Sequence, residues 1–420
     1  MRVVIFFKCL LFFLTSCSEK KPAGKYPVID VVGSIGNYQR VYMSDFFSSI
    51  ELIPLETNKN SLVGGDPLIL ANDSLLFINS VYSPRPISFR NLLAFNRKGK
   101  FLNQIGREGR GPGEYFRLTG VFLNRDRPTI FINATTDVFE YDFTGKVIHS
   151  INPYVFDESR FRGFHYFEDN LFVGFLNYEN RTGYRHCLLD SNGNIVKCFP
   201  NLFYMTDEDP PNSWVRGAME PFRVYERFYL KDHINDTLYS LTNSNLQPEY
   251  VFDLGKYSYP LGKTNEEGKI KIEAVEMNDA EGNYIRTIYI VGTSNHFFYE
   301  LSTPFFKSGP RSRLQTNGRI FGIYNKTKNT NMLLDTDPVH LQRGLINDIN
   351  GGLSFFPKYY IGNGEVVDIW SAEDMKELLT EEYFASIKIK DPQAHQKLRE
   401  LLKTLDEEDN PVVVIAKLKQ

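Results

Sequence analysis

The residues that first suggest chemistry form a glycine-rich stretch, Ile105 to Tyr115, which contains four glycines and one proline within residues 106–113. Such a composition cannot continue a helix or a strand, so the stretch is predicted to be a tightly folded connection. Consecutive backbone N–H groups in such a connection can cradle an anion such as phosphate. A nucleotide-binding loop, however, would need Gly-Lys-Ser/Thr or a helix directly after it, whereas Leu118 to Leu123 is typical of a strand. The stretch therefore favours a connection between two strands over a nucleotide site.

The charged side chains of this stretch give the main binding hypothesis. Arg107, Glu108, Arg110 and Glu114 are expected to project from one face of the protein and contact a ligand or a partner, as loops on rigid scaffolds often do. The alternative is that these side chains serve only the connection itself, and the sequence leaves both interpretations open.

Two cysteines suggest a covalent link. Cys187 and Cys198 flank a predicted hairpin turn at Asn192-Gly193, and counting outward from a two-residue turn places them opposite each other. An oxidising compartment would then permit a disulfide. The same count puts the cysteines at a hydrogen-bonded pair, where Cα atoms are about 5.5 Å apart and side chains diverge. A disulfide and two reduced, half-buried thiols therefore both remain open.

Other residue types give weaker signals. The seven histidines show no His-x-His or His-Glu-x-x-His spacing, and the cysteines no Cys-x-x-Cys, so no metal or cofactor is predicted. Asp348 to Gly351 starts like a calcium loop, but its offsets do not fit an EF-hand, and a tight turn is predicted. No Gly-x-Ser-x-Gly elbow is present, and no catalytic residue is assigned. Trp214 lies in an acidic loop, where it either binds a sugar or a partner or folds back over a strand edge.

A repeated hairpin indicates which elements hold these residues. The segments 95–102, 141–148 and 189–196 share an aromatic residue or Leu, then Asn or Asp, two variable residues, Gly, a polar residue and two apolar residues. Their glycines, Gly99, Gly145 and Gly193, are 46 and 48 residues apart. Each glycine supplies the positive φ that a hairpin turn needs. A hairpin with this period, preceded by another strand pair, matches one four-stranded blade of a propeller.

Later parts of the chain contain weaker versions of the repeat. A fourth blade is predicted over 227–253, a fifth over 288–334, and a sixth from 353–356, 366–369 and 412–416. Ile50 to Leu55 is expected to complete the sixth blade, because pairing the two ends of the chain removes exposed edges. Residues 371–405 are predicted to be helical, with one helix capped by Ser371 and a second starting at Asp391-Pro392.

Composition agrees with short strands and excludes one class of partner. Aromatic residues make up 14% of the 420 residues, and the formal net charge is −3. Aromatic enrichment favours strands. The chain has no basic cluster, so nucleic-acid binding is not expected.

The N-terminal residues indicate where in the cell the protein is located. Residues 1–16 combine a positively charged start with a short apolar core and a small-residue ending, as in a secretory signal peptide. Leu14-Thr15-Ser16-Cys17 resembles the lipobox of bacterial lipoproteins, in which the cysteine carries the lipid. Residues 17–27 are then the lipidated Cys17 and a flexible tether, and residues 28–420 the propeller. The alternative is an ordinary signal peptide or an uncleaved anchor, with Cys17 incidental.

Four segments carry a family resemblance: Phe46 to Thr57, the glycine-rich stretch, Asn347 to Gly352, and Asn410 to Val414. They resemble the six-bladed β-propeller lipoprotein family, related to NHL-repeat propellers, over nearly all of residues 28–420. The resemblance implies an all-β, six-bladed β-propeller of four-stranded blades, with a short helical insertion in the last blade. It also implies location in the bacterial cell envelope, and it implies no reaction.

The sequence therefore predicts an envelope lipoprotein that acts as a ligand-binding or protein-interaction propeller. It is expected to be a monomer that a lipid anchors to the outer membrane, with the periplasmic side and the cell-surface side both open. A protein or glycan partner and no cofactor are expected. The alternative is a propeller lyase or hydrolase that acts on a peptide or glycan at the central channel. Polar side chains from several blades that converge on the channel mouth would favour the enzyme.

Overall fold

The N-terminal part of the chain runs along the edges of three sheets. The computed structural model describes residues 25–64, 67–82, 89–124, 126–134, 137–152, 161, 163–176, 183–204, 221–224, 227–242, 245–273, 284–307, 317–335 and 344–419. The N-terminal belt, residues 25–54, contains strands β1 (Val28–Asp30), β2 (Tyr38–Gln39) and β3 (Phe47–Pro54) and the short helix α1 (Met43–Phe46). Cys17 and Trp214 lie outside the described residues.

Three sheets follow the clear repeats, and each has four antiparallel strands in chain order. Sheet 1 contains β4 (Leu68–Ala71), β5 (Leu75–Tyr82), β6 (Phe89–Asn96) and β7 (Phe101–Gln104). Sheet 2 contains β8 (Leu118–Leu123), β9 (Thr129–Ala134), β10 (Val138–Asp142) and β11 (Val147–Ile151). Sheet 3 contains β12 (Gly163–Tyr166), β13 (Phe172–Phe175), β14 (Tyr184–Leu189) and β15 (Ile195–Pro200).

The second half of the chain forms a small sheet and two larger sheets edged by the belt. The small sheet contains β16 (Phe203–Tyr204), β21 (Leu261–Thr264) and β22 (Ile270–Ile272). Sheet 4 contains β17 (Phe222–Val224), β18 (Arg227–Leu230), β19 (Thr237–Leu241) and β20 (Leu246–Asp253), with β1 parallel to β20. Sheet 5 contains β23 (Arg286–Gly292), β24 (His296–Lys307), β25 (Asn317–Asn325) and β26 (Thr330–Leu334), with β2 parallel to β26.

The two ends of the chain meet in sheet 6. It contains β27 (Tyr359–Gly362), β28 (Glu365–Trp370), β29 (Val412–Leu418) and, as its fourth strand, β3. Antiparallel pairing of Pro54 with Val412 confirms that the N-terminal and C-terminal segments share one sheet. The predicted strand 353–356 is wrong, since the first strand of sheet 6 is β27. Phe355 instead forms an isolated antiparallel bridge with Leu345, and Phe355 and Phe356 are buried in the core.

Three helices lie between β28 and β29: α2 (Ala372–Leu378), α3 (Glu381–Ser386) and α4 (Pro392–Thr404). The predicted caps are confirmed. Ser371 accepts a hydrogen bond from the backbone N–H of Asp374, and Asp391 precedes Pro392 and caps α4. Helix α3 lies within the range predicted to be helical but was not predicted as a separate helix, although Thr380 caps it in the same way. Within the described residues, no helix is long and apolar enough to cross a bilayer.

The predicted hairpin glycines adopt the backbone conformation that the turns require. Gly99, Gly145 and Gly193 have φ values of 78°, 90° and 83°. In the first of these turns the side chain of Asn96 accepts hydrogen bonds from the N–H groups of Lys98 and Lys100. Asp142 and Asp190 do the same in the other two. An Asn or Asp three residues before a left-handed glycine therefore specifies each turn.

The core lies between the sheets. Successive side chains on the second strand of each sheet point to opposite faces, so neighbouring residues enter different apolar clusters. The clusters contain Phe77 and Ile130 between sheets 1 and 2, Phe131 and Phe172 between 2 and 3, Val173 and Phe228 between 3 and 4, Tyr229 and Phe297 between 4 and 5, Phe298 and Val366 between 5 and 6, and Val367 and Ile78 between 6 and 1. Each sheet is thus buried on both faces, and the series returns from sheet 6 to sheet 1.

Candidate functional site

The glycine-rich connection from β7 to β8, which we call the strap (residues 105–117), is fixed at its ends by glycines. Gly106 and Gly113 have φ values of 63° and 74°, which residues other than glycine rarely adopt. A Cβ on Gly106 would also lie 2.8 Å from the ring of Tyr141 and 3.0 Å from that of Tyr115. The sequence predicted a tight connection between strands here, and the structure confirms it.

The strap is closed by its own backbone. The N–H of Gly109 donates to the carbonyl of Tyr115 at 2.9 Å, and the N–H of Tyr115 donates to that of Arg107 at 3.0 Å. Tyr115 is fully buried in the cluster between sheets 1 and 2. Tyr115, together with the fully buried Ile105, therefore attaches a closed loop to the body of the protein.

Two of the four predicted contact residues bind each other. Arg107 and Glu114 form an ion pair, and the other carboxylate oxygen of Glu114 accepts a hydrogen bond from the N–H of Gly111 at 2.8 Å. The Gly111 hydrogen bond, followed by that from Arg107, lowers the pKa of Glu114. Both side chains hold the strap in shape, although the Arg107 side chain stays 76% exposed.

Two further exposed side chains of the strap form a cation–aromatic pair. The guanidinium carbon of Arg110 lies 5.5 Å from the ring centre of Phe116, and Phe116 is 57% exposed. Glu108 is half-buried and forms an isolated backbone bridge with Tyr115. The exposed Phe116 was not among the predicted contact residues. Its position directly after Tyr115 could have indicated its exposure. When a connection reverses direction, one of two adjacent aromatic residues faces the core and the other faces solvent.

The two cysteines lie opposite each other, as the register count predicted, but the distance between their Cα atoms differs from the expected one. Cys187 on β14 pairs with Cys198 on β15, and the two sulfur atoms lie within bonding distance. The expected separation of about 5.5 Å is wrong, because the Cα atoms are 4.0 Å apart. The turn is wider than two residues: the N–H of Asp190 donates to the carbonyl of Asn194 at 2.9 Å. A register shift after Leu188 then changes the alternation of wide and narrow pairs.

A buried polar cluster joins sheets 3 and 4. Arg185 donates two hydrogen bonds to the carboxylate of Asp232, at 2.9 and 3.4 Å, and both side chains are nearly fully buried. The ammonium of Lys231 donates to the carbonyl of Asn235 at 2.9 Å, and burial lowers its pKa. Burial also lowers the pKa of His186, to about 4, so its imidazole is neutral at pH 7.

This cluster borders a small cavity of about 20 Å³, which is room for roughly one water molecule. Asp232 neutralises the positive charge of Arg185 in a bidentate ion pair. Such a pair connects the facing sheets and leaves little charge to attract a ligand. The sequence could not reveal the contact, because the two residues are 47 positions apart.

A second cluster has the residue types of a serine nucleophile and its base. Ser44 Oγ donates to Asp348 Oδ2 at 2.6 Å, and Lys390 Nζ lies 2.5 Å from Ser44 Oγ and 2.9 Å from Asp348 Oδ2. The hydrogen bond to Asp348 raises the pKa of Lys390, so the lysine stays protonated and cannot accept the serine proton. The cluster instead ties the belt to the segment between α3 and α4. Asp348 to Asn350 forms the predicted tight turn.

Metal binding was not predicted. Within the parts of the chain that the structure describes, no group of three or more His, Cys, Asp or Glu side chains could hold a metal ion.

Small twisted antiparallel sheets that pack face to face in series define a β-propeller-type protein. The chain belongs to the family described as "Domain of unknown function (DUF4934)", which matches residues 26–417. No curated protein matches it.

Solved structures resemble the fold. An exported protein (BF0058) of Bacteroides fragilis is 19% identical, with a TM-score of 0.66 over 94% of this chain and 100% of that one. A member of the DUF4221 family from Bacteroides vulgatus is 12% identical, with a TM-score of 0.51 over 89% of this chain and 97% of that one. Virginiamycin B lyase from Staphylococcus aureus reaches a TM-score of only 0.37 at 10% identity, over 69% and 89%, and supports no conclusion about activity.

Proposed function

We propose that this protein is an envelope lipoprotein that binds a partner protein through the strap of its β-propeller. A binding or interaction role agrees with a rigid fold in which a closed loop presents side chains outward. The observation that carries the proposal is the Arg110–Phe116 pair, an exposed aromatic ring beneath a guanidinium group on a fixed backbone.

The chemistry of this pair suits a protein surface. Arginine and aromatic side chains dominate the binding energy of protein interfaces, since they combine a large apolar area with directed hydrogen bonding. The strap is held by Tyr115 and by the Arg107–Glu114 pair, so little conformational freedom would be lost on binding. The partner should present an acidic or carbonyl-rich patch for Arg110 beside an apolar one for Phe116.

We propose that six blades form the propeller ring, with residues 371–405 inserted in the last. Four observations support this arrangement: six runs of four antiparallel strands, apolar clusters between successive sheets, the shared sheet of the two chain ends, and three helices between β28 and β29. Pairing of β3 with β29 leaves the ring with no open seam.

We also propose that Cys17 is lipidated and that residues 1–16 are a signal peptide. The lipobox-like Leu14-Thr15-Ser16-Cys17 supports the anchor. A structurally similar protein at 19% identity is described as exported, which agrees with an outer-membrane or other envelope location. An oxidising compartment would also suit a disulfide between Cys187 and Cys198, which we propose.

The enzymatic alternative gains no support from the two polar clusters. Arg185 and Asp232 neutralise each other between adjacent sheets, and Lys390 is held protonated by Asp348. A protonated lysine cannot act as the base that a serine nucleophile requires.

Site-specific photo-cross-linking in bacterial cells tests the binding proposal. The photoreactive amino acid p-benzoylphenylalanine replaces Phe116 in one variant and Val196 in a control, since Val196 is 58% exposed on β15 of sheet 3. We expect a discrete cross-linked species from position 116 that position 196 does not give. Adding Arg110→Glu to the first variant should reduce its yield. No adduct at 116, or the same adduct at both positions, would show that the strap is not the binding surface.

A further inference from the structure

The belt begins on one side of the molecule and the strap lies on another. Val28–Asp30 runs along β20 of sheet 4, and the N–H of Val251 donates to the carbonyl of Pro27. Ile29 is fully buried in the cluster between sheets 4 and 5. Tyr115 of the strap is buried in the cluster between sheets 1 and 2. In a ring of six sheets, these two junctions are diametrically opposite.

The proposed lipid site is close to the belt in sequence. Cys17 precedes Lys25, the first described residue, by eight positions. Eight fully extended residues span at most about 29 Å. A domain of this length has a radius of gyration of about 21 Å and is therefore roughly 55 Å across. The segment from Cys17 to Lys25 can therefore reach at most about half of the way across the molecule.

From these distances we propose that the anchor holds the propeller with the edge of sheet 4 next to the membrane and the strap directed away from it. This proposal rests on the proposed lipid anchor and on the binding role of the strap. The partner is then a water-exposed protein that approaches from the side opposite to the anchoring leaflet.

Energy transfer to labelled lipid measures this orientation. The full-length lipidated protein is reconstituted into liposomes that contain a rhodamine-labelled lipid, and a donor dye is attached to an introduced cysteine. One variant is Gln247→Cys, an exposed position on β20 of sheet 4, and the other is Lys146→Cys, an exposed position at the turn before β11 of sheet 2. The full chain without an introduced cysteine, labelled in parallel, gives the background from the native cysteines.

We expect a larger loss of donor fluorescence at position 247 than at position 146. An equal or larger loss at position 146 would overturn the orientation while leaving the anchor intact. Flotation of the same liposomes reports the anchor separately. If the protein does not float with them, or if Cys17→Ser floats equally well, the lipid anchor is wrong and the orientation falls with it. Cross-linking at position 116 continues to test the strap in either case.

Discussion

The hydroxyl of Tyr141 donates to the carbonyl oxygen of Gly113 at 3.0 Å. The ring of the same tyrosine fills the space in which a side chain at Gly106 would lie. A single residue on β10 of sheet 2 therefore contacts the strap near both of its ends. Gly106 is required there because the strap packs directly on an aromatic ring, whereas a side chain at Gly113 would meet Val147.

Gly106→Ala should lower the free energy of unfolding by more than the strain of a positive φ alone. The added methyl would meet the rings of Tyr141 and Tyr115, and overpacking typically costs about 1–3 kcal/mol. Gly268→Ala is the matched control, because Gly268 has a φ of 79° and a methyl added there would have nothing within 4 Å. The control should lose only about 1–2 kcal/mol. Urea denaturation compares the two, and equal losses would contradict the packing of Tyr141 against Gly106.

The proposed disulfide should be measurable by alkylation. Without reductant, neither Cys187 nor Cys198 should react with iodoacetamide under denaturing conditions, and both should react after reduction. Replacing both with alanine should lower the free energy of unfolding by about 2–3 kcal/mol, because the link closes a loop across a sequence separation of 11. Full alkylation without reductant would establish two thiols instead.

Asp232→Asn should be strongly destabilising. The substitution removes the negative charge that neutralises the buried guanidinium of Arg185, and breaking a buried pair in this way costs about 3–5 kcal/mol. Glu267→Gln provides the control. It removes an ion pair with Lys269 whose glutamate is 70% exposed, and such pairs contribute about 0–1 kcal/mol. Similar losses in the two variants would mean that the Arg185–Asp232 pair is open to water.

His186 should make the protein less stable in mild acid. Its pKa is lowered to about 4 by burial, whereas in the unfolded chain it is about 6.5. Between pH 4 and 6.5 the unfolded state binds a proton at His186 that the folded state does not bind. The stability contributed by the neutral His186 is therefore fully present above pH 6.5 and is lost as the pH decreases towards 4. The loss is at most about 3 kcal/mol, at 1.36 kcal/mol per pH unit.

The variant His186→Gln isolates this contribution. Urea denaturation between pH 7 and 4 should give a shallower decrease for the variant than for the native protein. Some decrease should remain, because burial also lowers the pKa values of His233 and His296 to about 4. Identical slopes would show that His186 is protonated equally in the folded and unfolded chains.

Local patterns predicted the parts of the fold that local chemistry determines. A left-handed glycine three residues after Asn or Asp gave the hairpins, and a serine or aspartate cap gave the starts of α2 and α4. The register of Cys187 and Cys198 also followed from counting, although their spacing did not, because the turn contains an additional residue.

Patterns were less informative where tertiary packing decides the conformation. Phe355 and Phe356 lie in an apolar run typical of a strand, yet they are buried as part of a connection that packs on the core. The strap was recognised as a connection, but its surface was not. Only the three-dimensional path of the chain shows that Arg107 forms an ion pair with Glu114, while Arg110 lies over Phe116.

The position of β3 beside β29 has a consequence for how the protein is made. β3 is synthesised early, whereas its partner ends at Leu418. The edge of β3 therefore stays unpaired until residues 412–418 have been synthesised, and an exposed strand edge invites pairing with other chains. Sheet 6 can be completed only after these residues have emerged. A chain truncated before Val412 would retain that exposed edge, which makes aggregation the expected fate of incomplete products.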